Sequence, residues 1–254
     1  HFFTTDRGKL LAGKRVIQVN NDPTEVGAFY RPDATLVADA ALTANNILYW
    51  LDEAEIAPSG FAKEIVGTAV SSYPKGDPNA ATDGCVNFEY ALDRLNEALP
   101  KDRIMLTDGG RYITEVWCRI NVPDPKSFHM SDNFAAIGQG MQQAIGAAKG
   151  APDRPVVLFT GDGGFMMGGI GEFHTAVRLG LDMIVIICND GAYGAEHIQF
   201  LDKKMDPKLS TFDWPSFSEV AKSLGANGVD VHSGADFDSV QSAIKERSGP
   251  LLIN

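Results

Sequence analysis

The run Val156-Val157-Leu158-Phe159-Thr160-Gly161-Asp162-Gly163-Gly164 and the run Met183-Ile184-Val185-Ile186-Ile187-Cys188-Asn189-Asp190-Gly191 have the same plan. Each is an unbroken apolar stretch without alternation, the pattern of a strand buried on both faces of a parallel sheet. Each ends in a polar, glycine-bearing turn. Between them, Phe173, Ala176 and Val177 mark one face of a helix, and Gly180 stands where a left-handed C-cap belongs. Strand, helix and strand in that order make a βαβ unit, which predicts an α/β fold with a polar cluster at the carboxyl end of each strand.

The same grammar extends outward. Ile104-Met105-Leu106-Thr107 reads as a strand ending in the turn Asp108-Gly109-Gly110. A helix is expected over Asn87–Leu99, apolar at Phe88, Ala91, Leu92, Leu95 and Leu99, and small residues favour a helical stretch over Ala135–Lys149. Ser216–Leu224 and Asp238–Arg247 read as two more helices, and Leu251-Leu252-Ile253 is strand-like. Toward the amino terminus, strands are expected at 14–19 and Leu36–Asp39, with a turn at Asn20-Asn21-Asp22-Pro23 and a helix over Ala40–Leu51. A stretch rich in Pro, Gly, Ser and Thr divides the chain into residues 1–57, a linker at 58–85, and a larger piece at 86–254.

Composition sets limits on function. The chain has 254 residues, 44% of them hydrophobic and 22% charged, enough for a full hydrophobic core. A net charge of −11 argues against nucleic acid and against anionic membrane surfaces as partners. No apolar run approaches the roughly 18–20 residues that span a bilayer. Three cysteines, Cys85, Cys118 and Cys188, make no disulfide framework and look structural, and a reduced, cytoplasmic setting is the expectation. The chain opens at His1 with no initiator Met and closes on a strand-like run, so it reads as part of a longer polypeptide.

In an open parallel sheet, ligands bind beyond the carboxyl ends of the strands. Neighbouring strands lie ~5 Å apart, so Asp162 and the Asn189-Asp190 pair would face one point. Hard oxygen donors at that separation suit Mg²⁺, which takes one or two carboxylates and completes its shell with phosphate oxygens and water. Gly163 and Gly164 let backbone amides approach a phosphate closely at a helix start. A Mg²⁺–diphosphate site is therefore the leading reading. A dinucleotide site is a second reading, although Gly161-Asp162-Gly163-Gly164-Phe165-Met166 lacks the third glycine of that fingerprint; Asp182 stands where a ribose-binding acid would. A third is a tight strand–helix turn in which Asp162 is only the N-cap.

Gly161-Asp162-Gly163 followed by Asn189-Asp190 resembles the thiamine-diphosphate signature of the acetolactate synthase and pyruvate decarboxylase superfamily. Val16–Asn20, Asp22–Gly27 and Arg31-Pro32-Asp33 resemble the later half of that superfamily's central domain, and residues 86–254 resemble most of its carboxyl-terminal, diphosphate-binding domain. The resemblance implies a three-layer α/β parallel-sheet fold preceded by part of a second α/β domain, with the amino-terminal pyrimidine-binding domain absent. Thiamine diphosphate and Mg²⁺ are the implied cofactors. Asp162, Asp190 and the Ala192 carbonyl are the implied metal ligands, with Asn189 as the alternative to Asp190. Matching Gly171-Glu172-Phe173 and Tyr193-Gly194 favours Asp190 and places one extra residue within Met166–Ile170.

The resemblance also assigns cofactor contacts. Asp108, Gly109, Gly110, Arg111 and Tyr112 resemble the loop that touches the diphosphate, where an arginine could bind phosphate bidentately. Ile137 would prop the cofactor in a bent shape and the Ala135 carbonyl would accept from its amino group. Gly161, Gly163, Gly164, Tyr193, Gly194 and Ala195 complete the set. Glu196 lies where the decarboxylase branch carries an active-site glutamate able to relay a proton, with His197 beside it. Plainer readings stand next to these: a surface arginine, a core isoleucine, a solvated helix-face glutamate and a capping histidine. His129, His174 and His232 have no partner spacing that points to chemistry.

The activity implied is decarboxylation or carboligation of 2-oxo acids, as a lyase or transferase of acetolactate synthase-like type. A flavin-containing or acyl-CoA-type thiamine-diphosphate oxidase or lyase, with FAD bound outside this fragment, and an inactive cofactor-binding homologue are the alternatives. The resemblance places the activating glutamate in the amino-terminal domain of a neighbouring subunit. A homodimer or homotetramer is therefore expected.

Overall fold

A computed structural model describes residues 8–60, 73–80, 84–131 and 136–254. The chain divides into two compact units, His1–Ser71 and Ser72–Asn254, a division that falls inside the 58–85 stretch.

In the first unit, β1 (Ile17–Asn20) pairs in parallel with β2 (Ala34–Val37), Ile17 opposite Ala34 and Asn20 opposite Val37. Helix α1 (Ala40–Glu53) follows. The second strand begins and ends earlier than the sequence reading placed it. Asp39, expected at its end, is instead the N-cap of α1, its carboxylate accepting the Leu42 N–H at 2.9 Å. Ile17, Leu36, Val37, Leu48 and Trp50 remain exposed, since a two-stranded parallel pair with one helix cannot cover both its faces.

The second unit carries a six-stranded, wholly parallel sheet in the order β4-β3-β5-β6-β8-β7. Its strands are β3 (Ile104–Thr107), β4 (Phe128–Met130), β5 (Val156–Gly161), β6 (Met183–Cys188), β7 (Asn227–Val229) and β8 (Leu251–Ile253). The helices are α2 (Phe88–Ala98), α3 (Ile113–Arg119) and α4 (Gly140–Gly150), then α5, α6 (Gly194–Asp202), α7 (Phe217–Ser223) and α8 (Phe237–Glu246). Helix α5 is composite, running Asp162–Gly164, a π turn at Phe165–Gly169, and Ile170–Arg178.

Alternate residues of the buried strands face opposite layers, as the period of two requires. Leu106, Leu158, Val185 and Leu252 pack with Met141 and Ala144 of α4, Phe165 and Phe173 of α5, and Phe217 of α7. Met105, Val157, Phe159, Ile184 and Ile253 pack with Leu92 and Leu95 of α2, Val116 of α3, and Val240 and Ile244 of α8. The result is the three-layer α/β fold expected. The strand order reverses between β3 and β5, a topological switch point where a crevice forms at the carboxyl ends.

Two expectations change. Helix α4 begins at Gly140 rather than in the small-residue run from Ala135, because Gly138 sits at φ +90° and ends any earlier helical turn. The edge strands β4 and β7 and the helices α3 and α6 have no counterpart in the sequence reading; the two strands are only three residues long, and α3 and α6 are seven and nine. Cys85, Cys118 and Cys188 are all free. Among the described residues, no helix is long and apolar enough to cross a membrane.

Candidate active site

Gly161 pairs with Cys188, so the β5 and β6 chains leave the sheet side by side. A cavity of about 1170 Å³ opens at these ends, lined among others by Asp162, Gly163, Gly164, Asn189, Asp190 and Ala192. Gly161, not Asp162, is the N-cap of α5, and the Asp162 side chain turns elsewhere: its Oδ2 accepts the Trp214 indole N–H at 2.6 Å. Burial raises the Asp162 carboxyl above its ordinary range, the Trp214 bond opposes this, and the neighbouring Asp190 charge raises it further. Burial raises Asp190 as well, countered by the Ala192 N–H and by the positive charge of Arg111. Two partly desolvated carboxylates that disfavour each other's charge form a site that gains from a cation between them.

The choice between Asn189 and Asp190 has a structural counterpart. The Asn189 Nδ2 donates to Asn254 Oδ1 at 3.0 Å and its Oδ1 accepts from Gly191 N–H at 3.1 Å, so its amide ties β6 to β8. Asp190 Oδ1 accepts the Ala192 N–H at 3.2 Å, and its Oδ2 lies 2.4 Å from where a Cβ on Gly194 would stand. Ala192 bridges Thr211 in antiparallel fashion, with Tyr193 N–H donating to the Ser210 carbonyl and Phe212 N–H to the Gly191 carbonyl. In such a non-hydrogen-bonded pair the N–H and C=O of Ala192 point away from residue 211, and the N–H meets Asp190. Among the described residues no group of three or more His, Cys, Asp or Glu gathers to hold a metal. The available donors are thus two carboxylates and one carbonyl, a set that fits a hard cation completed by phosphate and water.

The glycines have a packing role besides backbone access. A Cβ on Gly163 would lie 2.5 Å from the Tyr193 ring, and one on Gly164 would meet Asp108 Oδ2, Ile137 and Thr160 Oγ1 at 3.0–3.2 Å. The π turn at Phe165–Gly169 overlaps the segment Met166–Ile170.

Around the rim, Gly109, Gly110, Arg111 and Ile137 line the cavity. Ile137 is 42% exposed, not a core residue. Arg111 is exposed, with its Cδ 3.5 Å from the Gly194 Cβ direction. Tyr112 lies beneath its loop, its hydroxyl within 2.9 Å of the Asp108 carbonyl and 3.1 Å of the Phe159 carbonyl, and burial raises its phenol strongly. Tyr193, Gly194, Ala195 and Glu196 continue the lining, Glu196 exposed in the first turn of α6. His197 turns toward Ser210, Nδ1 to Oγ 3.2 Å, and is not among the lining residues. Ala135 lies outside the described residues.

Two roles escaped the sequence reading. Asp108, 1% exposed, accepts the Gly138 N–H at 2.8 Å and so holds the Ile137 loop against β3. It ends a strand as Asp162 and Asp190 do, and that signal was available. Trp214 lies in a loop without periodicity, and nothing local marks it.

Residues 108–254 match the family model "Thiamine pyrophosphate enzyme, C-terminal TPP binding domain". The chain is similar to acetolactate synthase isozyme 1 large subunit of Escherichia coli, 27% identical over 244 residues that cover 94% of this chain and 42% of the relative. Against sulfoacetaldehyde acetyltransferase of Alcaligenes xylosoxydans xylosoxydans the identity is 26% over 234 residues, 86% of this chain and 38% of that one. Among solved structures, benzoylformate decarboxylase from Polynucleobacter necessarius superposes with TM-score 0.71 at 19% identity, over 95% of this chain and 44% of that chain, a likeness of fold. The chain therefore spans less than half the length of these relatives.

Proposed function

The chain belongs to the thiamine pyrophosphate enzymes, with their C-terminal binding domain at residues 108–254, and from this we propose that its strand-end cavity holds thiamine diphosphate through Mg²⁺ in a protein that decarboxylates or joins 2-oxo acids. The observation that carries the reading is the pair of carboxylates at the ends of adjacent parallel strands, Asp162 buried and Asp190 open to the cavity, each raised by partial loss of solvent. On this reading Asp162, Asp190 and the Ala192 carbonyl hold the metal, and Asn189 braces the turn through Asn254. Thiamine diphosphate, when bound, supplies the electron sink that loss of carbon dioxide from a 2-oxo acid requires.

The protein's own groups bind and orient. Amides at Gly163 and Gly164 and the Arg111 guanidinium bind the diphosphate. Ile137 presents an apolar prop from a loop anchored by Asp108. Glu196 holds or delivers a proton at the substrate carbon, while His197, bonded to Ser210, steadies the start of α6. Residues 1–57 are the later half of a central domain, and a second copy of the full-length protein completes the site.

The test is calorimetric titration of thiamine diphosphate into the full-length protein, with Mg²⁺ and with EDTA, for wild type and Asp162→Ala. Binding that needs both Mg²⁺ and Asp162 supports the reading and justifies a screen of 2-oxo acids. Absence of binding by the intact wild type, or binding indifferent to Asp162, overturns it.

A further inference from the structure

The segment Ser210–Trp214 touches both halves of the candidate metal site. Its backbone clasps the β6 end, where the Ser210 carbonyl accepts the Tyr193 N–H at 2.9 Å and the Phe212 N–H donates to the Gly191 carbonyl at 2.8 Å. Its side chain reaches the β5 end, where the Trp214 Nε1–H donates to Asp162 Oδ2 at 2.6 Å. The indole is held for that contact. It stacks on Phe212 at 4.5 Å and 17°, and Phe217 lies 6.4 Å beyond. Phe212 in turn packs on Tyr193 at 4.6 Å, the ring that covers Gly163.

The chemistry of the donor matters. A carboxylate that binds a cation through one oxygen needs its other oxygen fixed, or it rotates among several poses. A lysine or arginine would fix it but would repel Mg²⁺ at short range. An indole N–H is donor-only, uncharged and offers no lone pair to compete for the metal. We propose that Trp214 is a positioning residue for metal binding: it holds Asp162 by Oδ2 and leaves Oδ1 for the cation, while its own segment holds Ala192 in place. This rests on the reading of Asp162 as a metal ligand.

The proposal is tested on the full-length protein with Mn²⁺ as the probe, its free concentration read by electron paramagnetic resonance at saturating thiamine diphosphate. Two replacements remove the N–H: Trp214→Phe, and the benzothienyl isostere of tryptophan at position 214, which has sulfur in place of N–H and the same shape. Loss of a group that orients a metal ligand costs roughly 10–100-fold in metal affinity, and that is the expected rise in Mn²⁺ Kd for both. In an Asp162→Ala background the same replacements should add no further loss, because the effect passes through Asp162. A wild-type Kd in the isostere overturns the proposal even if Trp214→Phe folds poorly, and so does an equal additional loss in the Asp162→Ala background. Wild-type protein that binds no Mn²⁺, or Asp162→Ala protein that binds it normally, overturns the metal-site reading and this inference with it.

Discussion

Replacing Gly168 with alanine tests whether the π turn and the Ile137 loop are one packed unit. A Cβ at position 168 would stand 2.4 Å from the carbonyl oxygen of Gly138. Ordinary contact begins near 3.5 Å, so something must retreat by roughly 1 Å. The obstacle is backbone and it is held, since the Gly138 N–H donates to buried Asp108 and Gly138 sits at φ +90°; Gly168 is fixed in turn, its carbonyl accepting the Gln142 amide at 2.9 Å. No rotamer change relieves the clash, so the cost should be at the level of core overpacking, about 1–3 kcal/mol. Gly171, three residues on in the same composite helix, has nothing within 4 Å of its would-be Cβ. Gly171→Ala should therefore stabilise by about 0.5–1 kcal/mol through helix propensity alone. Urea denaturation followed by intrinsic fluorescence gives both numbers. The activity of the full-length protein should also fall, by up to ~100-fold for Gly168→Ala, since a 1 Å shift would carry Ile137 with it. A Gly168→Ala protein as stable as Gly171→Ala would refute the argument that this helix and loop are packed backbone to backbone.

Other expectations are independent of that one. Asp190→Ala should abolish Mg²⁺-dependent binding of thiamine diphosphate, whereas Asn189→Ala should leave the Mg²⁺ requirement intact and lower stability, because its amide bonds Asn254; calorimetry with Mg²⁺ and EDTA separates the two. Tyr112→Phe takes the hydroxyl donor from the Asp108 carbonyl, while the Phe159 carbonyl keeps the Asp108 N–H at 2.9 Å, and should cost about 1–3 kcal/mol in thermal or chemical denaturation. Asp230 gives a pH signature: burial raises its carboxyl, but bonds from Ser218, Asn254 and Ser216 outweigh it and lower the pKa below 3.8. A group lowered in the folded state stabilises above its unfolded pKa and loses that contribution as pH falls through the folded one. The stability advantage of wild type over Asp230→Asn should thus be full at neutral pH and shrink below about pH 4; an advantage unchanged at pH 3 would contradict it.

The layers of the fold and the two carboxylate turns were legible because they depend on short-range pattern. Unbroken apolar runs can only be interior strands of a covered sheet, and the turn after such a strand must open at its carboxyl end. That reasoning reached Asp162 and the Asn189-Asp190 pair from β5 and β6. It applied equally to Asp108, which was read only as the start of the loop that continues through Gly109 and Gly110. The edge strands β4 and β7 were not legible, since Phe128-His129-Met130 and Asn227-Gly228-Val229 lack the unbroken apolar run that marked the equally short β8.

Other features lie beyond any reading of pattern. That the Asn189 amide is tied up depends on Asn254, which β8 brings alongside β6 from far along the chain. The direction of the Ala192 carbonyl depends on an antiparallel clasp with Thr211. Trp214 meets Asp162 across 52 residues. Local spacing specifies which residues can share a face or end a strand, because helix and strand periods are properties of the backbone. Which side chain completes another's hydrogen bond is set by where distant segments come to rest, and that follows from the packing of the three layers together.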